Sequence, residues 1–324
     1  MRLFVHDRQQ GVHGAWLEKA IMPSHLKELV HARMAKTGES YQQALRHVRA
    51  DHDAGTSAAD SRLSEERVAR SRTVADTAFS IAVARAEEGQ RPPAERLFDD
   101  PYASFFAAAG AHAAESTQRF LDLPFFRDGV RLRTRYIDDA VREGLKAGLR
   151  QLVLLGAGFD ARGLRLPEVV ACRASVYEID TAEQLARKRR ALAVAGVKVP
   201  AHVHYLPFDF DAPDFAGRLT SALQRKGFRP GEGAIFVWEG VIGYIDDAAI
   251  DQSLRFMASA GGPRSRVVFT FGQIGFETDT ATDRTRRAGF HSCEEMAGDD
   301  LWRRYLPGEP HPNAWVTRVA TAIV

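Results

Sequence analysis

Cysteine is almost absent from this chain of 324 residues. Its two cysteines, Cys172 and Cys293, stand far apart and outside any C-x-x-C spacing, which excludes a disulfide framework or a cysteine zinc site and suits a reducing cytoplasm. Long apolar runs are absent too. Nothing approaches the length of a membrane span, and the opening MRLFVHDRQQGVHGAW lacks the continuous apolar core of a signal peptide. Neither charge is in excess: 44 lysines and arginines against 42 acidic residues leave +2, no electrostatic case for nucleic acid or a membrane as principal partner. The H-x-E, H-E-x-x-H and aspartate-rich signatures are missing, so no metal is expected. There is no internal repeat and no low-complexity tract. These absences together predict a cytoplasmic globular protein.

What is present is ordinary in bulk and informative in order. Hydrophobic residues make up 45% and charged residues 27%, as in soluble domains generally, and the length allows one large or two modest domains. Residues 1–60 are polar, hold six of the eleven histidines, and end in DHDAGTSAADSR, a linker by composition. Within them HLKELVHARMAKTGESYQQALRHVRA reads as two short helices around Thr37-Gly38, with Ser40 and Gln43 as a capping box for the second. Residues 61–149 are mostly helical: SRTVADTAFSIAVARAEEG, ASFFAAAG and RLRTRYIDDAVREGLKAG, joined by the proline-punctuated RPPAERLFDDPYA. From 151 to 324 the apolar strand candidates QLVLLGAG, ASVYEID, HVHYLPFDF, AIFVWEGV and RVVFTF alternate with helical stretches such as TAEQLARKRRALAVAG and FAGRLTSALQRKG, and AWVTRVATAIV reads as a last strand. Such alternation predicts an α/β fold, a mostly parallel sheet with helices on both faces.

Ligands of such sheets bind beyond the carboxyl ends of the strands, near the topological switch point. Gly156 and Gly158 of RQLVLLGAGFDARGLRL lie at that end of the first strand. The stretch from Gly156 to Ala161 satisfies the loose G-x-G-x-x-A dinucleotide fingerprint, with Asp180 where a ribose acid is expected. An NAD(P)-dependent oxidoreductase is therefore one reading. Asp160 argues against it, because a pyrophosphate wants backbone N–H groups and no nearby anion. A cofactor with an ammonium, a sulfonium and no phosphate tolerates that acid, and S-adenosyl-L-methionine has those groups. Asp180, with Glu178 as the alternative, would meet its ribose. Asp209 and Phe210 at the end of the third strand would border its adenine, and Arg133 or Arg135 would meet its carboxylate. Each acid alone suits an ordinary solvated loop; the set at successive strand ends points to a site.

The pieces SRTVADTAFSIAVARAEE, LFDDPYASFF, RTRYIDDAV, RQLVLLGAGFDARGLRL, VYEID, FDF, VWEGVIGYI and RRYL, in this order, resemble the leucine carboxyl methyltransferase-like family of class I S-adenosylmethionine-dependent methyltransferases. The likeness is to the bacterial, actinobacterial-type branch and spans about residues 70–324. It implies a Rossmann-like seven-stranded sheet with helices on both faces, under a helical N-terminal cover. It also implies residue roles. Gly156 and Gly158 would line the methionine part of the cofactor, and Asp180 would hold the ribose. Asp209 and Phe210 would border the adenine, and an arginine of RTRY would pair with the carboxylate. Spacing favours Arg133, with Arg135 as the alternative. Glu239 of WEGV would stand beside the cofactor and the substrate entrance, while Asp160 and Arg162 would brace the turn by an ion pair. Two features depart from the family pattern: GQIGFETDTATDRTRRAG is short, implying a trimmed substrate lid, and residues 1–60 match nothing in it.

The implied reaction is O-methyl transfer to a carboxyl or hydroxyl group of a small, hydrophobic metabolite. A carboxylate acceptor needs no general base, whereas a hydroxyl does, and Glu239 and His291 are then the catalytic candidates. Phe105, Phe106, Phe125, Phe126, Tyr136 and Tyr244 are candidates for an apolar acceptor wall, or simply for core. Residues 1–60 carry two readings of their own. One is a helical extension that joins copies of the chain into a homo-oligomer. The other is a DNA-binding or dimerising module, which would make the chain a regulator with a methyltransferase-like sensor domain; the small net charge of the segment favours the first.

Overall fold

The computed structural model describes residues 77–208, 214–272 and 280–324, together with 32–33, 36–37, 44 and 47. The chain divides into two compact units, Met1–Thr77 and Ala78–Val324; the change of composition in the sequence falls earlier, at about residue 60. In the first unit positions 32–33, 36–37, 44 and 47 are helical. Gly38, the Ser40–Gln43 capping box and the linker lie outside the described residues. So do Asp209, Phe210 and residues 273–279 of the short lid segment.

The second unit starts with a helix over residues 78–90 (α1), followed by α2 (Ala103–Ala109), α3 (Ala114–Leu121) and α4 (Phe126–Lys146). Val130, Thr134, Ile137, Val141 and Leu145 of α4 are buried at the three- and four-residue spacing of one helix face. Gly144 lets that face lie close on the sheet, since a Cβ there would come within 2.6 Å of Ile235 Cδ1. The α/β part then runs β1 (Gln151–Leu155), α5 (Arg162–Arg165), α6 (Pro167–Ala171), β2 (Ser175–Asp180), α7 (Ala182–Val194), β3 (Val203–Pro207), α8 (Phe215–Gln224), β4 (Ile235–Trp238), α9 (Asp247–Gly261), β5 (Arg266–Phe271), α10 (Ala281–Ala288), β6 (Ser292–Ala297), α11 (Gly298–Tyr305) and β7 (Arg318–Ile323).

The seven strands stand in the order β3-β2-β1-β4-β5-β7-β6. The first five are parallel, and β7 runs antiparallel between β5 and β6. The chain thus winds outward from β1 to β3 and returns to β4 on the other side of β1. That reversal makes the carboxyl ends of β1 and β4 the topological switch point of the sheet. One apolar layer contains Val153, Tyr177, Ile179, Phe236 and Phe269, the other Leu152, Leu154, Val176, Val237 and Val268 with residues of α4. Every residue of β1 is buried, as a central parallel strand covered on both faces requires. Six strands coincide with the apolar runs of the sequence. The seventh, β6, is SCEEMA at the sheet edge, where Ser292 and Glu294 are exposed; polar edge strands discourage pairing with other chains and carry no apolar signal. Among the described residues no helix is long and apolar enough to cross a membrane.

Candidate active site

Beyond Leu155 the backbone turns through Gly156 at φ +64° and Gly158 at φ +46°, the left-handed region that favours glycine. The two glycines serve different ends. A Cβ on Gly156 would run into Val241 Cγ2, so this glycine lets the loop after β4 close on the turn. A Cβ on Gly158 would meet nothing nearer than the Gly156 carbonyl oxygen at 3.9 Å, so here bare backbone faces open space. The turn is fastened to the next strand. Ala157 N donates to the Ile179 carbonyl at 3.0 Å, and Gly158 N donates to Asp180 Oδ2 at 2.7 Å. The other Asp180 oxygen accepts from Thr181 N at 2.7 Å. Each of these carboxylate oxygens has a further lone pair with which to accept a hydroxyl. Burial pushes the Asp180 carboxyl up from its ordinary value, and the bonds from Gly158 and Thr181 oppose that rise.

Glu239 follows the last residue of β4 and sits among three guanidiniums. Arg85 Nη2, from α1, reaches Oε1 at 3.0 Å and Oε2 at 2.9 Å. Arg133 Nε, from α4, donates to Oε1 at 3.0 Å, and Arg162 Nη1, at the start of α5, donates to Oε2 at 2.9 Å. Burial by itself would raise this carboxyl, yet Arg85, Arg162 and Arg133 together hold it far below the usual carboxylate range. Arg162 is fully buried and also binds Asp138 at 2.8 Å and Asp160, so the ion pair expected to brace the turn is formed. Arg165 continues the network to Asp138 at 2.6 Å and to Asp100 at 3.6 Å. A single charged layer therefore joins the helical cover to the sheet at the switch point.

The structure brings Gly156, Gly158, Asp180, Glu239 and Arg133 to this one edge. Arg133 and Arg135 are two residues apart on a helix and so face different ways. Arg135 binds Asp139 at 3.0 Å and the Leu97 carbonyl at 2.9 Å, beneath Tyr305, away from Glu239. Glu178 lies beneath the edge, fully buried against Lys188 Nζ at 2.5 Å. His291 is at the other end of the sheet. Because β6 and β7 reverse direction, the residue before Ser292 lies beside Ile323 and the amino-terminal end of β5. Of the aromatic candidates, Phe106, Phe125 and Tyr136 are buried core and Phe105 is exposed.

Arg85 and Lys188 were not singled out from the sequence. A signal for Arg85 exists in α1. Phe79, Ala82, Arg85 and Glu88 recur every third residue and are all buried, so two charged residues stand where the pattern calls for apolar ones. Glu88 is met by Arg131 at 2.5 Å and Arg85 by Glu239, as buried charges require.

Residues 78–258 match the family model of leucine carboxyl methyltransferase. A Frankia alni protein assigned as an S-adenosyl-L-methionine-dependent methyltransferase is 36% identical over 200 residues, 60% of this chain and 68% of its own. Proteins with the same assignment from Mycobacteroides abscessus and Mycobacterium bovis are 31% and 30% identical, covering 71% and 74% of this chain and 76% and 80% of theirs. These matches set aside the nicotinamide reading. Asp160 does not, since its carboxylate is taken up by Arg162. The chain belongs to the leucine carboxyl methyltransferase family and is an S-adenosylmethionine-dependent methyltransferase of class I α/β architecture.

Proposed function

We propose that the enzyme methylates an oxygen of a small, hydrophobic acceptor, and that this oxygen belongs to a carboxylate. The observation that carries the choice is the state of Glu239. A hydroxyl acceptor needs a group that takes its proton, and a carboxylate held by three guanidiniums far below its usual range has too little proton affinity to do so near neutral pH. His291 lies at the opposite end of the sheet. An acceptor that is already ionised needs neither.

The residues at the edge suit the cofactor. Bare backbone at Gly158 admits close approach, and the acceptors of Asp180 suit the ribose hydroxyls. Arg133, the most exposed of the three arginines on Glu239 at 15%, suits the methionine carboxylate. When bound, S-adenosylmethionine supplies an electrophilic methyl group on a sulfonium sulfur. The chain's part is positioning and exclusion of water, which supply much of the rate for such a displacement. Arg162, Asp138 and Asp160 keep the turn and Glu239 in place from below.

The test is to incubate the protein with methyl-tritiated cofactor and matched hydrophobic acids and phenols. Label on the acid, released as volatile methanol in mild alkali, is the expected result. Alkali-stable label on the phenol alone would contradict the carboxylate reading.

A further inference from the structure

Lys188 and Glu178 form an ion pair in which neither side chain reaches solvent. Lys188 projects from α7, whose N-cap, Thr181, directly follows Asp180. Its Nζ donates to Glu178 Oε2 at 2.5 Å and also to the backbone carbonyl of Asp160, the residue that closes the glycine turn through its N–H on the Ala157 carbonyl at 2.7 Å. The other Glu178 oxygen is buried and has no hydrogen-bond partner among the described residues. Packing alone does not call for this arrangement. Apolar side chains of similar volume commonly match or exceed the stability of a buried ion pair, because both charges lose their hydration. What apolar groups cannot do is hold a carbonyl. Asp160 is already gripped through its side chain by Arg162, and its Oδ1 accepts from Arg162 N at 2.8 Å. Lys188 adds the grip on its backbone, from the β2–α7 side that carries Asp180.

We propose that Lys188 is a positioning residue for methyl transfer: its ammonium, held by Glu178, fixes the Asp160 carbonyl and so the distance between the Gly158 backbone and Asp180. Lys188 touches neither cofactor nor acceptor and acts through the turn. The inference rests on the reading that this turn holds the cofactor.

Lys188→Met alone strands the Glu178 carboxylate in the core and tests folding as much as the turn. The informative variant is the double one, Lys188→Met with Glu178→Gln, which removes both charges. Its thermal midpoint is expected to stay near that of the wild type while its affinity for S-adenosylhomocysteine, measured by calorimetry, falls at least tenfold. Affinity within twofold of wild type in a folded double variant would overturn the proposal and leave Lys188 as a counter-ion for Glu178. Glu178→Gln, whose amide oxygen can accept from Lys188 Nζ while Nζ donates to the Asp160 carbonyl, is expected to bind the probe at least fivefold more tightly than the double variant. If the double variant does not fold, the folded fraction of Lys188→Met decides: probe affinity within twofold of wild type overturns the proposal, and a loss of at least tenfold supports it. Asp180→Ala separates the two claims. Unchanged probe affinity there defeats the turn as cofactor site, whereas weakened affinity there with no loss in the double variant defeats Lys188 alone.

Discussion

Two glutamates of one sheet, Glu178 in β2 and Glu239 just past β4, meet opposite electrostatic fates. Both are buried, and for both burial is the largest influence and favours the protonated form. Glu178 faces one ammonium, and burial pushes it up to about 7. Glu239 faces three guanidiniums and is held far below the usual range. Desolvation sets a threshold that one cation does not overcome and three do. The difference also divides their roles. Glu239 is a permanent anion that gathers α1, α4 and α5 at the switch point, and Glu178 is a marginal anion that holds one lysine.

Removing the permanent anion is the most severe way to break this contrast. Glu239→Gln leaves Arg85, Arg133 and Arg162 without the carboxylate they share, and urea unfolding is expected to show a loss of about 3–5 kcal/mol. A change of pH tests the other glutamate. With a folded value near 7 against an ordinary 4.5, the native state binds the proton more tightly than the unfolded chain between those values. Stability therefore falls as pH rises from 4.5 to 7 and is flat above. Glu178→Gln removes that dependence, so its stability relative to wild type should rise by roughly 2–3 kcal/mol between pH 5 and pH 8. Glu239 contributes in the opposite sense. Its stabilisation is fully present above the ordinary carboxyl range and is lost only as pH falls through its depressed native value, so it adds no slope in that window. Arg85→Met sharpens the count of cations. Glu239 keeps Arg133 and Arg162, and the expected cost is about 1–3 kcal/mol by the same denaturation, less than for Glu239→Gln.

The sequence disclosed the parts of this molecule that obey simple periodicities. The central strands are apolar because both faces are covered, and the turn is marked by glycines because its backbone enters the left-handed region. The edge strand β6 was not legible because an edge has little to bury. The charged layer was legible only in pieces. Asp160 with Arg162 could be paired by proximity in the chain, but Arg85 meets Glu239 across 154 positions, and only its place on a buried helix face hints at a partner. Lys188 is ten residues from Glu178, and its pairing depends on how α7 crosses back over β2, a tertiary fact with no local signature. Spacing favours Arg133 over Arg135 without excluding the second; the rotation of α4 turns Arg133 to Glu239 and Arg135 to Asp139.

The central claim, that Gly158 and Asp180 outline the cofactor seat, is tested most directly by a crystal structure of the protein with S-adenosylhomocysteine. The account predicts ribose hydroxyls within hydrogen-bonding distance of the Asp180 carboxylate and the homocysteine chain lying along Gly158. A molecule bound elsewhere, with the turn bare and Asp180 bonded only to Gly158 and Thr181, would contradict it.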